Sequence, residues 1–307
     1  MNPLRWIGQR RTHAIATVVI IALFTPQIGL MLRPYVTHAV IGLLLVAFLR
    51  LDTSAAKSYL RRPRLIIATT LWTTLAVPVL FALTTKLLGF DTALPDVFTG
   101  LMLQAIASPM MATPAIAAIL GLDATLILIT LICSTALTPL TAPLFAATLH
   151  LDLSLSPLDM GVKLLLILAA CAFGGLGLRR IITPERITQH RDSFDGLNIL
   201  ILFIFASAVM ADVGSNFITQ PLFMLTLIVL TFAVSAVLLI VTYAVFNQLG
   251  RKSALALGIM SSQRNMGLML AGVGGTIPEI TWLYFAAAQF PMHFAPWMLN
   301  RFARKQA

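Results

Sequence analysis

The residue types that could do chemistry concentrate in one stretch, Ser261-Ser262-Gln263-Arg264-Asn265-Met266-Gly267, inside an apolar segment running from about Ala254 to Gly275. Arg264 offers a fixed positive charge and a planar fork suited to a carboxylate, sulfonate or phosphate. Gln263 and Asn265 add adaptable donors and acceptors, and Ser261 and Ser262 add hydroxyls. An arginine near the centre of a membrane span costs at least about 2.5–3.5 kcal/mol on insertion scales. Five polar residues in a row must therefore face a protein interior or a watery cavity that meets their hydrogen bonds. Two roles are open to Arg264: a staple that caps carbonyls within a helix bundle, or the centre of a substrate or ion site.

A second interruption lies at Ser108-Pro109-Met110-Met111-Ala112-Thr113-Pro114. Two prolines five residues apart remove two backbone donors and clash with the preceding turns, so a continuous helix is not expected there. Thr113 and Pro114 join the candidate site, as does Thr73 among the hydroxyls of Thr69, Thr70, Thr73 and Thr74. Ser134, Thr135 and Thr138 form a similar group, although such hydroxyls in membrane helices commonly bond their own turn or a neighbour. His293, between Pro291 and Pro296, could carry a proton or serve as a helix–helix donor, and Gln104 reads as a helix–helix bond. Asp96 and Asp212 fall near predicted outer ends and read as solvated. Ala271-Gly272-Val273-Gly274-Gly275 follows no strand and reads as close helix packing rather than a nucleotide loop. His-Glu-x-x-His, Gly-x-Ser-x-Gly and Walker patterns are absent, so an enzyme is the weaker class.

The elements that must position these residues are membrane spans. The 307 residues are 59% hydrophobic and 10% charged, with a mean hydropathy of +0.92. A soluble domain carries roughly 25% charged residues. At about 20 residues per span, apolar runs at about 13–32, 35–50, 65–89, 95–120, 124–148, 159–178, 194–212, 220–248, 253–275 and 278–300 predict an all-α polytopic membrane protein of about ten helices, with no room for a soluble domain. Turn chemistry at Arg33-Pro34, Arg62-Pro63, Gly121-Leu122-Asp123, Ser156-Pro157 and Thr183-Pro184 separates them. Arg5, Arg10 and Arg11 precede a first run long enough to span, which predicts a retained helix rather than a cleaved leader. Cys133 and Cys171 sit in apolar runs and suggest neither a disulfide scaffold nor a metal site.

The net charge of +10 is distributed asymmetrically. With the N-terminus in the cytoplasm, only Arg33, Lys86 and Lys163 fall outside, and Arg264 lies within a span. Every other Lys and Arg is cytoplasmic. This predicts an even span count with both termini inside, and explains the basic residues by topology and anionic lipid rather than nucleic acid.

The two interruptions fall in the fourth and ninth spans, each fourth in its half of a five-plus-five division. Matching interruptions are the sequence pointer to inverted repeats, here about 13–148 and 159–302, whose broken helices meet at the midplane. The 307 residues then form one transporter domain.

The chain resembles the bile acid:sodium symporter family, bacterial branch. The likeness runs over nearly the full length. Its most specific parts are Leu49 to Pro78 with Arg62-Pro63-Arg64, Pro109 through Leu120-Gly121, Ser134-Thr135-Ala136-Leu137-Thr138-Pro139 with Pro143, and Gln263 to Leu268 with the tenth span. The resemblance implies two inverted five-helix repeats, a panel of helices 1, 2, 6 and 7, and a core of helices 3–5 and 8–10 whose broken fourth and ninth helices cross. It implies alternating-access transport across a bacterial-type inner (plasma) membrane, with a small or amphipathic organic anion as the partner; the assembly state stays open.

This sequence departs from the family at the sodium ligands. Met260 stands at the place of a Glu, Arg264 at a Gln, Pro114-Ala115 at a Ser-Asn pair and Thr73 at a Gln. Ile127 and Leu131 fall where the fifth helix supplies hydroxyls. Asn265 and Gly267 match. No resident cofactor is expected, and sodium coupling is in doubt. The alternatives are a sodium-coupled symporter with rearranged ion sites, or a non-transporting enzyme or sensor on this scaffold.

Overall fold

The computed structural model describes residues 3–50, 62–274 and 277–304, without the side chains of 11–13, 15–16, 19, 184, 293 and 295–304. Its elements are α1 (Pro3–Gln9), α2 (Arg11–Phe24), α3 (Pro26–Leu32), α4 (Val36–Leu49), α5 (Pro63–Leu71), α6 (Val77–Leu87), α7 (Phe90–Ala93), α8 (Pro95–Ile106), α9 (Thr113–Ile119), α10 (Ala124–Thr148), α11 (Pro157–Ile182), α12 (Pro184–Gln189), α13 (Arg191–Val209), α14 (Val213–Thr219), α15 (Pro221–Phe246), α16 (Arg251–Ser262), α17 (Met266–Val273) and α18 (Glu279–Arg304). A five-residue π-helical segment, Trp72–Ala76, joins α5 to α6. Among the described residues no strand occurs, only one isolated bridge. Among the described residues six stretches are long and apolar enough to cross a membrane: Pro26–Leu49, Pro63–Leu87, Ala124–Thr148, Pro157–Ile182, Arg191–Thr219 and Pro221–Leu249. The protein is an all-helical integral membrane protein.

Sequence explains most helix boundaries. Pro26, Pro63, Pro95, Pro157, Pro184 and Pro221 open their helices, where a missing N–H would have been unsatisfied anyway. Asp123 caps α10, its carboxylate accepting from the Leu126 N–H at 3.1 Å, and Gly274, at φ +87°, ends α17.

The chain forms two compact units, residues 1–51 with 165–224 and residues 52–164 with 225–307. In the first, α13 is the axis. Gly8 lies against the Asp192 backbone and Gly196 against Leu4, where an added methyl would come within 1.8 and 1.9 Å of a carbonyl oxygen. Further along, Leu23 meets Gly214; the chain then turns, Gly29 meets Ser207 and Ala211, and Gly42 meets Ile201. Arg50 closes the return by bonding Asp195 at 2.6 Å.

The first two spans thus reverse at Thr25-Pro26, not at the expected Arg33-Pro34. Both are X-Pro steps. Thr25 is driven out of helical geometry, with φ −123° and ψ 61°, whereas Pro34 sits in a 3₁₀ turn, Arg33–Tyr35, that carries α3 into α4. Arg33 is freed to pair with Asp212. Asp212 is therefore an ion-pair partner rather than a merely solvated carboxylate.

In the second unit, Leu65 packs against a cluster of Ala117, Leu126, Ile127, Ala256, Leu257 and Met260. One turn on, the Thr69 and Thr130 hydroxyls bond each other at 2.9 Å. This bond ties α5 to α10. Gly272 lies against Leu164, where a methyl would come within 2.6 Å, which is the close packing that its glycine-rich run suggests. Tyr284 packs on Gly100 and donates to Gln104 Oε1, and the Asp96 carbonyl accepts from Thr281 at 2.7 Å.

Candidate functional site: two interrupted helices around Arg264

α8 stops at Ile106 for a local reason. Pro109 has no N–H for the Ala105 carbonyl, its ring crowds that carbonyl, and it disfavours helical geometry at Ser108. Ala107 is extended, at ψ 147°. The chain resumes as α9, where Pro114 occupies the first turn and the Thr113 hydroxyl bonds the Met110 carbonyl at 2.7 Å. Both residues act here in the helix restart.

The break after α16 contains no proline. Gln263 is extended, at φ −102° and ψ 96°, and Asn265 caps α17 by accepting the Leu268 N–H at 3.1 Å. Asn265 leaves its amide nitrogen free to donate. Ser262 bonds the Ile259 carbonyl within its own helix.

The two breaks satisfy each other. The Asn265 N–H donates to the Ser108 carbonyl at 2.7 Å and the Met110 N–H to the Gln263 carbonyl at 2.8 Å. Pro109 and Arg264 face each other in an antiparallel bridge. A non-helical backbone is tolerable within a membrane protein only where such partners exist. The crossing supplies them without a side chain.

Arg264 is 1% exposed. Its Nε donates to the Ser261 carbonyl at 2.9 Å, and its Nη1 to the carbonyls of Ala107 at 3.0 Å and Thr73 at 3.2 Å. Each oxygen is free for an identifiable reason. Ser261 loses its helical donor because the Asn265 N–H goes to Ser108. Ala107 lies beyond the end of α8. Thr73 lies in the π segment, where the Val77 N–H has moved to the Trp72 carbonyl. In that register the donor for Thr73 would be residue 78, and Pro78 has none.

Thr73 therefore takes part through its carbonyl; its hydroxyl bonds Thr69 at 2.8 Å. The sequence reading named the residue, and its hydroxyl bonds its own turn as such hydroxyls commonly do, but the reading did not foresee the carbonyl. It missed Ala107 and the π segment, for which Pro78, five residues after Thr73, was the signal.

Arg264 Nη2 is buried without a hydrogen-bond partner, as are both amide atoms of Gln263 and the hydroxyls of Ser108 and Ser261. Arg264 makes no ion pair among the described residues; those at Arg33–Asp212 and Arg50–Asp195 lie in the other unit. On α10, Ser134 and Thr135 also carry buried, unpartnered hydroxyls, whereas Thr138 bonds the Ser134 carbonyl. His293 lies on α18, and its side chain is outside the described residues.

The site is thus a compact polar centre, built from backbone dipoles and one unneutralised guanidinium, within an apolar helical protein. It can hold an anion or a polar group; nothing in it is arranged as a nucleophile with a base. No protein-family model matches the chain, and no curated protein matches it.

Proposed function

We propose that this protein is a secondary transporter of the bile acid:sodium symporter type, carrying a small or amphipathic organic anion by alternating access. The observation that carries the reading is the crossing: two interrupted helices bonded to each other through their backbones, around a buried cation with no carboxylate partner among the described residues. Uncommitted donors remain there at Gln263, Asn265 and Arg264, and the positive field favours an anion.

In this reading the chain crosses the membrane ten times as two inverted five-helix repeats, with both termini cytoplasmic in a bacterial-type inner membrane. The first crossing then ends at Thr25-Pro26 and the second runs through α3–α4. The two compact units support a division into a panel of crossings 1, 2, 6 and 7 and a core of the rest. The charge asymmetry of the loops supports the orientation.

Sodium, which the family resemblance implies, does not fit the residues present. Met260 and Ile127, at two of the ligand positions, are buried in one apolar cluster, and a third position is Arg264. A sodium ion about 4 Å from a guanidinium at an effective dielectric near 20 meets a repulsion of about 4 kcal/mol, roughly a thousandfold in affinity. Transport is then uniport or proton-linked.

The deciding experiment is uptake of a panel of organic anions into proteoliposomes, in sodium and in choline media. Saturable uptake of an anion, equal in both, is the expected result. Binding without uptake would replace the reading with a sensor, and indifference to every anion would remove it.

A further inference from the structure

We infer that the Arg264 guanidinium is a tethered cation: it fills, by covalent attachment, the place that a mobile ion would take among the backbone oxygens of Ser261, Ala107 and Thr73, so that the crossing assembles without any dissolved cation. These oxygens come from three separate places, the end of α16, the extended residue just past α8 and the π segment. None has a helical donor, and each lost it through a different local defect. Buried carbonyls left without partners are costly. Three converging on one point form a cage that a cation satisfies best.

The guanidinium meets the cage with two of its nitrogens and is itself fully buried. A staple with no electrostatic role would need only a neutral donor, and Gln, Asn or Ser would bring one at lower desolvation cost. Here a permanent charge is held with no carboxylate among the described residues to balance it, so its counterpart is the ring of carbonyl dipoles. The apolar cluster containing Met260, one helical turn before Arg264, removes the nearest place from which an acidic side chain could recruit a second cation.

The inference concerns the ligand-free protein, so it stands or falls separately from the transport reading. The test is thermal unfolding of the purified protein in detergent at constant ionic strength, exchanging choline for sodium. The wild type should show the same Tm in both. Arg264→Ala should unfold about 5–10 °C lower in choline, and should regain at least half of that loss in sodium or in millimolar guanidinium, either of which can enter the vacated cage. Arg264→Gln, which keeps a neutral donor, carries the same arms if the alanine variant does not accumulate. A saturable sodium dependence in the wild type would overturn the inference. So would an Arg264→Ala protein as stable as the wild type, or one that no cation restores.

Discussion

Arg50 and Arg264 are held by opposite means. Arg50, in the first unit, leaves 28% of its side chain accessible and meets the Asp195 carboxylate, 11% accessible, at 2.6 Å. Arg264, in the second, is 1% exposed and meets only carbonyls. A carboxylate neutralises a guanidinium outright, and the pair is locked by its mutual attraction. Carbonyl dipoles only disperse the charge and leave a net +1. The first arrangement suits a joint between helices. The second suits a place where an anion comes and goes, because the charge is still available to a ligand.

The largest effect that follows is at Asp195. Asp195→Ala removes the charged acceptor of the half-buried Arg50 and should destabilise the protein by about 1.5–3 kcal/mol, the range for a hydrogen bond to a charged group. Replacing both partners, Arg50→Leu with Asp195→Leu, should recover most of the loss. Unfolding of the two variants and the wild type in detergent gives the comparison directly. Equal destabilisation of the single and double variants would dissolve the contrast, since Arg50 would then be held by something other than charge. The Arg33–Asp212 pair is more open, with Arg33 37% accessible, and its removal should change stability by less than about 1 kcal/mol.

How much of this was legible follows from where each cause lies in the chain. The break after α8 was readable because Pro109 acts on the residues beside it. The chemistry of the heptapeptide was readable because an arginine flanked by amides cannot sit in lipid. The turn at Thr25-Pro26 was not, because two X-Pro steps eight residues apart look alike locally. At Arg33-Pro34 the chain passes through a 3₁₀ turn in which Arg33 pairs with Asp212, a residue far along the chain. The role of Thr73 was half legible. Pro78 announces a missing donor, but only the π register moves the vacancy to Thr73, and only the crossing brings Arg264 to it. Pairings of this kind are tertiary and leave no mark in local composition.

A middle-sized effect separates the two side-chain caps. Asp123 and Asn265 each accept one backbone N–H at a helix start, at 3.1 Å. Replacement of either by alanine should cost about 1 kcal/mol of stability. Asn265→Ala should in addition abolish anion uptake, because the free amide nitrogen belongs to the crossing, whereas Asp123→Ala should leave uptake within about twofold when corrected for folded protein. Equal loss of uptake in both would show that stability alone limits transport.

The smallest change in stability is the most telling about the crossing. Gln263 is 1% exposed, and neither of its amide atoms has a partner. An amide buried without hydrogen bonds costs about 1–3 kcal/mol by mutational measures. Leucine is similar in size and has no such need. Gln263→Leu should therefore unfold at the wild-type temperature or slightly above it, by up to about 1 kcal/mol in stability, while losing substrate binding. A residue kept for packing gives the opposite pattern, lower stability with binding intact in the protein that remains folded. Gln263 would then belong to the structural interior, and the ligand would have to be sought at the unpartnered Nη2 of Arg264. Retained binding with raised stability would likewise remove Gln263 from the site. Only the combination of undiminished stability and lost binding places an uncommitted amide there for a ligand.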